Sequence, residues 1–210
     1  MREEIPNRRP IKARSSRWAQ QTAAFLARTR VSPDQISVAS VFFAAIGTVL
    51  LVGYSVPAGL LGCAVAVQAR LLCNLLDGMI ALEWGKKSLL GPLYNEFPDR
   101  IADSMLIVGL GYAIHLPFLG WLGALAAIAT AYVRVFGGSL GLAQDFRGPM
   151  AKAQRMAVMT GACVLGAIEQ ALIGTQYALT VAAAVIALGS LATCVTRARA
   201  IVVQLRRNLV

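Results

Sequence analysis

Asn74, Asp77, Asn95 and Asp99 are oxygen-bearing side chains in an otherwise apolar stretch of the chain. Carboxylate and amide oxygens are the ligands that hard divalent cations such as Mg²⁺ prefer, and such ions share their coordination with substrate phosphates. A carboxylate placed beside a hydroxyl can also take its proton. The spacing puts Asn74 with Asp77 on one helix face and Asn95 with Asp99 on another. Polar groups at the edge of an apolar span are costly and tend to mark a site. Gly78, Ala81 and Gly91 are small, as needed where a phosphorylated ligand or a second helix must approach closely. A plainer reading makes the two amides interhelical glue and pairs the acids with Arg70 and Arg100.

The elements that must position these groups are apolar helices. The chain has 57% apolar and 14% charged residues, and its mean hydropathy is +0.64, which excludes an ordinary soluble domain. Six spans are expected, at about 36–54, 56–82, 101–116, 118–136, 156–173 and 177–195. Three connections, around Ser55-Val56-Pro57, His115-Leu116-Pro117 and Gly174-Thr175-Gln176, carry no Lys, Arg, Asp or Glu. The other connections and both termini hold nearly all the Lys and Arg. They include Arg8, Arg9, Lys12, Arg14 and Arg17, then Lys86, Lys87 and Arg100, then Arg147, Lys152 and Arg155, and finally Arg197, Arg199, Arg206 and Arg207. That alternation predicts both termini in the cytoplasm, and it attributes the net charge of +10 to a membrane face and not to nucleic acid.

Trp18, Phe25 and Leu26 alternate with Arg14, Arg17 and Arg28, the pattern of an amphipathic helix on the inner leaflet. Ser32-Pro33-Asp34-Gln35 reads as a helix start with a capping box. Cys63, Cys73, Cys163 and Cys194 read as buried free thiols, His115 as structural, and Glu169 has no assigned role. The expected organisation is a basic tail and interfacial helix over residues 1–31, a six-helix all-α integral membrane domain over 32–197, and a basic cytoplasmic tail over 198–210.

The stretch from Asn74 to Asp99 resembles the motif of the CDP-alcohol phosphotransferases (CDP-alcohol phosphatidyltransferases), D-x-x-D-G-x-x-A-R, eight residues, then G-x-x-x-D-x-x-x-D. Asp77, Gly78, Ala81, Gly91 and Asp99 match in identity, and every gap has the right length. Asn74 and Asn95 stand at the first and third aspartates, and Leu82 at the arginine. Ser32-Pro33-Asp34-Gln35-Ile36-Ser37 is also similar to the family's T-P-N-x-x-T entry to the first span.

The resemblance implies six spans, a cytoplasmic site and a homodimer. It implies Mg²⁺ or Mn²⁺, held as a pair with the CDP pyrophosphate by the first three motif positions, here Asn74, Asp77 and Asn95; because two of these are neutral amides, a single bound ion is the alternative. Asp99 would be the base, and a metal ligand as well. The implied reaction is attack of an alcohol acceptor on the phosphorus of CDP-diacylglycerol or another CDP-alcohol, with release of CMP, in phospholipid biosynthesis at a bacterial inner membrane. Basic residues are implied on substrate phosphates or anionic lipid: Arg134, Arg147, Lys152 and Arg155. Arg70, one turn before Asn74, is expected to replace part of the missing positive charge. Glu83, Glu96 and Asp103 are candidates for a displaced carboxylate, with Asp103 preferred. The alternative is a catalytically inactive homologue that binds CDP-lipid or anionic lipid. A small transporter is disfavoured because the cluster lies at one interface and not at the bilayer centre.

Overall fold

A computed structural model of the chain describes residues 16–54, 56–86 and 88–207. The basic segment containing Arg8, Arg9, Lys12 and Arg14, together with Ser55, Lys87 and residues 208–210, lies outside the described residues. Seven helices follow one another: α1 (Arg17–Ala27), α2 (Pro33–Gly53), α3 (Pro57–Glu83), α4 (Gly91–Ala113), α5 (Pro117–Ser139), α6 (Lys152–Leu172) and α7 (Tyr177–Arg207). Proline stands in the first turn of α2, α3, α4 and α5, where its missing N–H costs nothing and its fixed φ favours the helix. At α2 the capping box forms as the sequence predicts. The Gln35 N–H donates to Ser32 Oγ at 3.2 Å, and the Ser32 N–H donates to Gln35 Oε1 at 3.0 Å.

Helices α2, α3, α5 and α7 are long and apolar enough to cross a membrane. Helices α4 and α6 fall short in apolarity, not in length, since Glu96, Asp99, Arg100 and Asp103 sit on the first and Lys152, Arg155 and Glu169 on the second. Helix α4 begins ten residues before the expected span, so both Asn95 and Asp99 are helical. Pro98 lies inside it and leaves the Tyr94 carbonyl without its usual partner, one residue from Asp99. Helix α7 is continuous to Arg207, through residues expected in the basic tail.

The six long helices close a ring in the order α3, α2, α4, α5, α7, α6 and back to α3. Leu60, Val67, Leu106, Leu110, Met156, Met159, Leu179 and Ile186 fill its core. Phe42, Val65, Phe118, Leu165 and Leu188 face outward, as a lipid-facing surface requires. At Gly111 an added Cβ would come within 2.6 Å of the Gly120 Cα, so α4 and α5 cross backbone to backbone.

Helix α1 docks on α3 through buried Ala19 and Ala23, which meet Leu75, Leu76, Met79 and Ile80. Trp18 and Phe25 are exposed instead, on the face left to lipid and interface. Among the thiols, Cys63 and Cys163 are buried, but Cys73 and Cys194 are only partly so. Glu169 gains a role the sequence did not reveal. Its carboxylate accepts from Thr175 Oγ1 and from the backbone N–H groups of Tyr177 (2.8 Å) and Ala178 (2.9 Å), capping α7.

Candidate functional site

The polar cluster is built where α3, α4 and α6 meet. Helix α3 contributes Arg70, Asn74 and Asp77, and the helical period places them on successive turns. Helix α4 contributes Asp99 and Asp103, one turn apart. Helix α6 contributes Lys152 and Arg155 from its first turn. The connection into α6 is clipped to α7 so that this turn is aimed inward. Gly148 has φ +130°, and an added Cβ would meet Thr193 Cγ2 at 2.4 Å, so only glycine fits. Beside it the Met150 N–H donates to Thr193 Oγ1 at 2.9 Å, and Arg197 Nε donates to the Arg147 carbonyl at 2.9 Å.

The hydrogen bond from Asn74 Nδ2 to Asp99 Oδ1, 2.8 Å, joins the two halves of the motif. Arg70 Nη2 approaches the same oxygen at 3.5 Å. On the other oxygen, Asp99 Oδ2 is held by Lys152 Nζ, with Arg100 Nη2 at 3.7 Å. The plainer reading is therefore realised for Asp99, which pairs with Arg70 and Arg100. Behind it, Asp103 receives Arg70 Nη2 at 2.5 Å on one oxygen and Arg155 Nη2 at 3.0 Å on the other. Arg155 also donates to the Met150 carbonyl at 2.8 Å. Asp103, the preferred candidate for a displaced carboxylate, is thus consumed in neutralising two buried arginines. Glu96 is likewise engaged, by Arg134 Nη2 at 2.6 Å.

Asp77 has a different environment. It is 4% exposed, its Oδ2 accepts from Ser37 Oγ, and its Oδ1 accepts from the Gly78 N–H at 2.5 Å. No ion pair reaches it among the described residues. A buried carboxylate without a counter-charge is costly unless a cation joins it.

Among the described residues no three His, Cys, Asp or Glu side chains are grouped to hold a metal. Because Asp99 and Asp103 are already neutralised, the donor set does not fit the implied pair of ions. It does fit one, since Mg²⁺-type ions need only one or two carboxylates when substrate phosphates and water complete the shell. Asp77 is that carboxylate, with the Asn74 amide oxygen one turn away. Asn95 is exposed, unlike Asp99 one turn later, and its side chain makes no hydrogen bond among the described residues. An added Cβ at Gly91 would meet only Ser88 Oγ, at 3.7 Å, so the fold leaves room there.

The basic residues separate into two groups. Arg70 and Arg155 are buried, and Arg70 Nε and Nη1 and Arg155 Nε have no hydrogen-bond partner among the described residues. Arg134 lies further out, donating to Gln144 Oε1 at 2.5 Å and stacking on Phe146 at 5.4 Å. It shares a hollow with Asp145, Gln204 and Arg197. Arg147 turns away: its side chain is 71% exposed and clasps Asp145 at 2.9 Å, holding that carboxyl below its ordinary range. Ser37 and Arg197 were not singled out by sequence reasoning. Ser37 does close the entry pattern of the first span, while Arg197 was indistinguishable from orientation charge.

No family model matches the chain. It is 28% identical over 197 residues to a phosphatidylinositol phosphate synthase of Streptomyces avermitilis, covering 89% of this chain and 77% of that one. It is 30% identical over 169 residues to an archaetidylinositol phosphate synthase of Aeropyrum pernix, covering 80% and 82%. Among solved structures, Mycobacterium tuberculosis phosphatidylinositol phosphate synthase with CDP-DAG bound superimposes with a TM-score of 0.75 at 22% identity, covering 89% of this chain and 94% of that one. The same enzyme in complex with manganese and citrate also gives 0.75 at 22% identity, covering 87% and 88%. These structural likenesses carry the fold, a ring of helices with an apolar outer surface. With a relative 30% identical across 80% of its length, the chain is an integral membrane protein of the CDP-alcohol phosphatidyltransferase family.

Proposed function

We propose that the protein transfers a phosphatidyl, or similarly substituted phosphoryl, group from a CDP-linked lipid donor to an alcohol, releasing CMP. The observation that carries this reading is the Asn74–Asp99 hydrogen bond, which brings the two motif halves onto one site with both retained aspartates. The names of the relatives favour an inositol phosphate as acceptor, with CDP-diacylglycerol as donor. Arg134 and Arg197 line one hollow and would take the acceptor's phosphate by exchanging their present partners, Glu96 and Gln144 for the first and backbone carbonyls for the second, because guanidinium groups bind phosphate through paired donors.

Asp77, with the Asn74 and Asn95 amides, is the set that would hold Mg²⁺ or Mn²⁺, which supplies positive charge to the pyrophosphate. Gly78, Ala81 and Gly91 would leave space for the nucleotide, and Arg70, buried behind Asp99, contributes positive charge to that end of the bundle. Asp99 takes the acceptor proton. Arg155 holds Asp103 and the start of α6 in place. In the membrane, α4 and α6 complete six spans, α1 lies on the inner leaflet, both termini are cytoplasmic and the site opens to the cytoplasm. The supporting feature is that Lys86, Arg147, Lys152 and Arg197 lie on the same side of the chain's alternation. The setting is a bacterial inner membrane, and the protein forms a homodimer.

A second reading, a homologue that binds CDP-lipid without turnover, is favoured by the cations already occupying Asp99. The deciding experiment is CMP release by purified protein from CDP-diacylglycerol, with Mg²⁺ or Mn²⁺ and a set of alcohols including inositol phosphate. Turnover that Asp99→Asn lowers by at least ~100-fold is expected for an essential base. Donor binding without CMP release would establish the second reading.

A further inference from the structure

The site's two motif carboxylates are compensated in opposite ways. Asp77 is buried and has only neutral donors, Ser37 Oγ and the Gly78 N–H. Asp99 is engaged by Lys152, Arg70, Arg100 and Asn74. Of these cations only Lys152 has no second carboxylate among the described residues. Arg70 is fully buried and anchored by Asp103, and Arg100 stands off at 3.7 Å while also reaching its own-helix Glu96 at 3.6 Å. Lys152 has a 20% exposed side chain, a flexible four-carbon stem and no other carboxylate partner among the described residues. It also sits in the first turn of α6, directly after a segment fixed by Gly148 and Thr193.

From this we infer, resting on the transferase reading above, that the site takes one divalent ion on the Asp77 side and uses Lys152 as a second, protein-borne cation, which leaves Asp99 for the pyrophosphate of the CDP-linked donor. The exchange has two consequences. The donor gains an ammonium contact that the empty site holds in reserve. Asp99 Oδ2 gives up Lys152 when the donor arrives, so that oxygen is released from the ammonium only in the loaded site. Oδ1 meanwhile keeps Asn74, which preserves the carboxylate's orientation. The amides at Asn74 and Asn95 are consistent with this arrangement: a site that carries its own ammonium needs fewer negative ligands.

The test uses the full chain in detergent. Bound Mn²⁺ is counted by electron paramagnetic resonance, and CDP-diacylglycerol binding is titrated on wild type, Lys152→Met and Lys152→Arg. One Mn²⁺ per chain without spin coupling is expected. Lys152→Met should keep that ion but lose about 10- to 100-fold in donor affinity, the scale of a charged contact to phosphate, and Lys152→Arg should recover most of it. Two coupled Mn²⁺ ions per wild-type chain, no bound Mn²⁺, or wild-type donor affinity in Lys152→Met would each overturn the inference and leave the transferase reading standing. Wild-type protein that binds no CDP-diacylglycerol with or without Mn²⁺ would overturn both. Should Lys152→Met fail to fold, the wild-type Mn²⁺ count decides alone.

Discussion

At the middle of α4, Asp103 lies between two buried arginines, each held by one carboxylate oxygen. Eight residues further along the same helix, Gly111 meets Gly120 with nothing between the two backbones. The first region is kept together by specific charges, and its alternatives are all expensive because an unpaired ion in the interior has no water to turn to. The second is kept together by the absence of side chains, and its strength is close packing with no hydrophobic driving force from the lipid. A single helix thus carries a site end, where residue identity is dictated by charge, and a scaffold end, where it is dictated by volume.

The largest expected effect breaks the charged end. Asp103→Ala leaves Arg70 and Arg155 without their counter-ion and should cost about 3–5 kcal/mol, read as a large drop in the thermal unfolding midpoint in detergent. A drop no larger than a surface substitution gives would show that water or lipid headgroups already compensate those arginines. The scaffold end is tested by Gly111→Ala, whose methyl would overlap the Gly120 backbone and force α4 from α5 at about 1–3 kcal/mol. Gly91→Ala sharpens the contrast. With only Ser88 Oγ at 3.7 Å, it should change stability by less than about 0.5 kcal/mol yet weaken donor binding. Unchanged donor affinity would remove Gly91 from the substrate set.

The smallest effect belongs to the Asp145–Arg147 clasp at the surface. Because Arg147 holds the Asp145 carboxyl below its ordinary range, the clasp is present above the usual carboxylate pKa and is lost as pH falls through the lowered value. Asp145→Asn should cost well under ~1 kcal/mol at neutral pH, and the difference from wild type should vanish in acid. A difference that grows on acidification would reverse the sign of that linkage.

The amino-acid sequence by itself determined the helices, the start of α2 and the clustering of polar groups on their faces. All of these depend on residues within one or two turns of each other: Ser32 with Gln35, Asn74 with Asp77, Asp99 with Asp103. The motif spacing was legible for the same reason, since a helical face is a property of local period. Partners were not legible. Lys152, expected on an acceptor phosphate, pairs with Asp99 across 53 positions, and Asp103, expected to be available, is shared by arginines from α3 and α6. Arg197 and Ser37 join the site from α7 and α2. Only closure of the helix ring decided these pairings, because a long charged side chain chooses among every opposite charge within reach, and reach is set by which helices pack together.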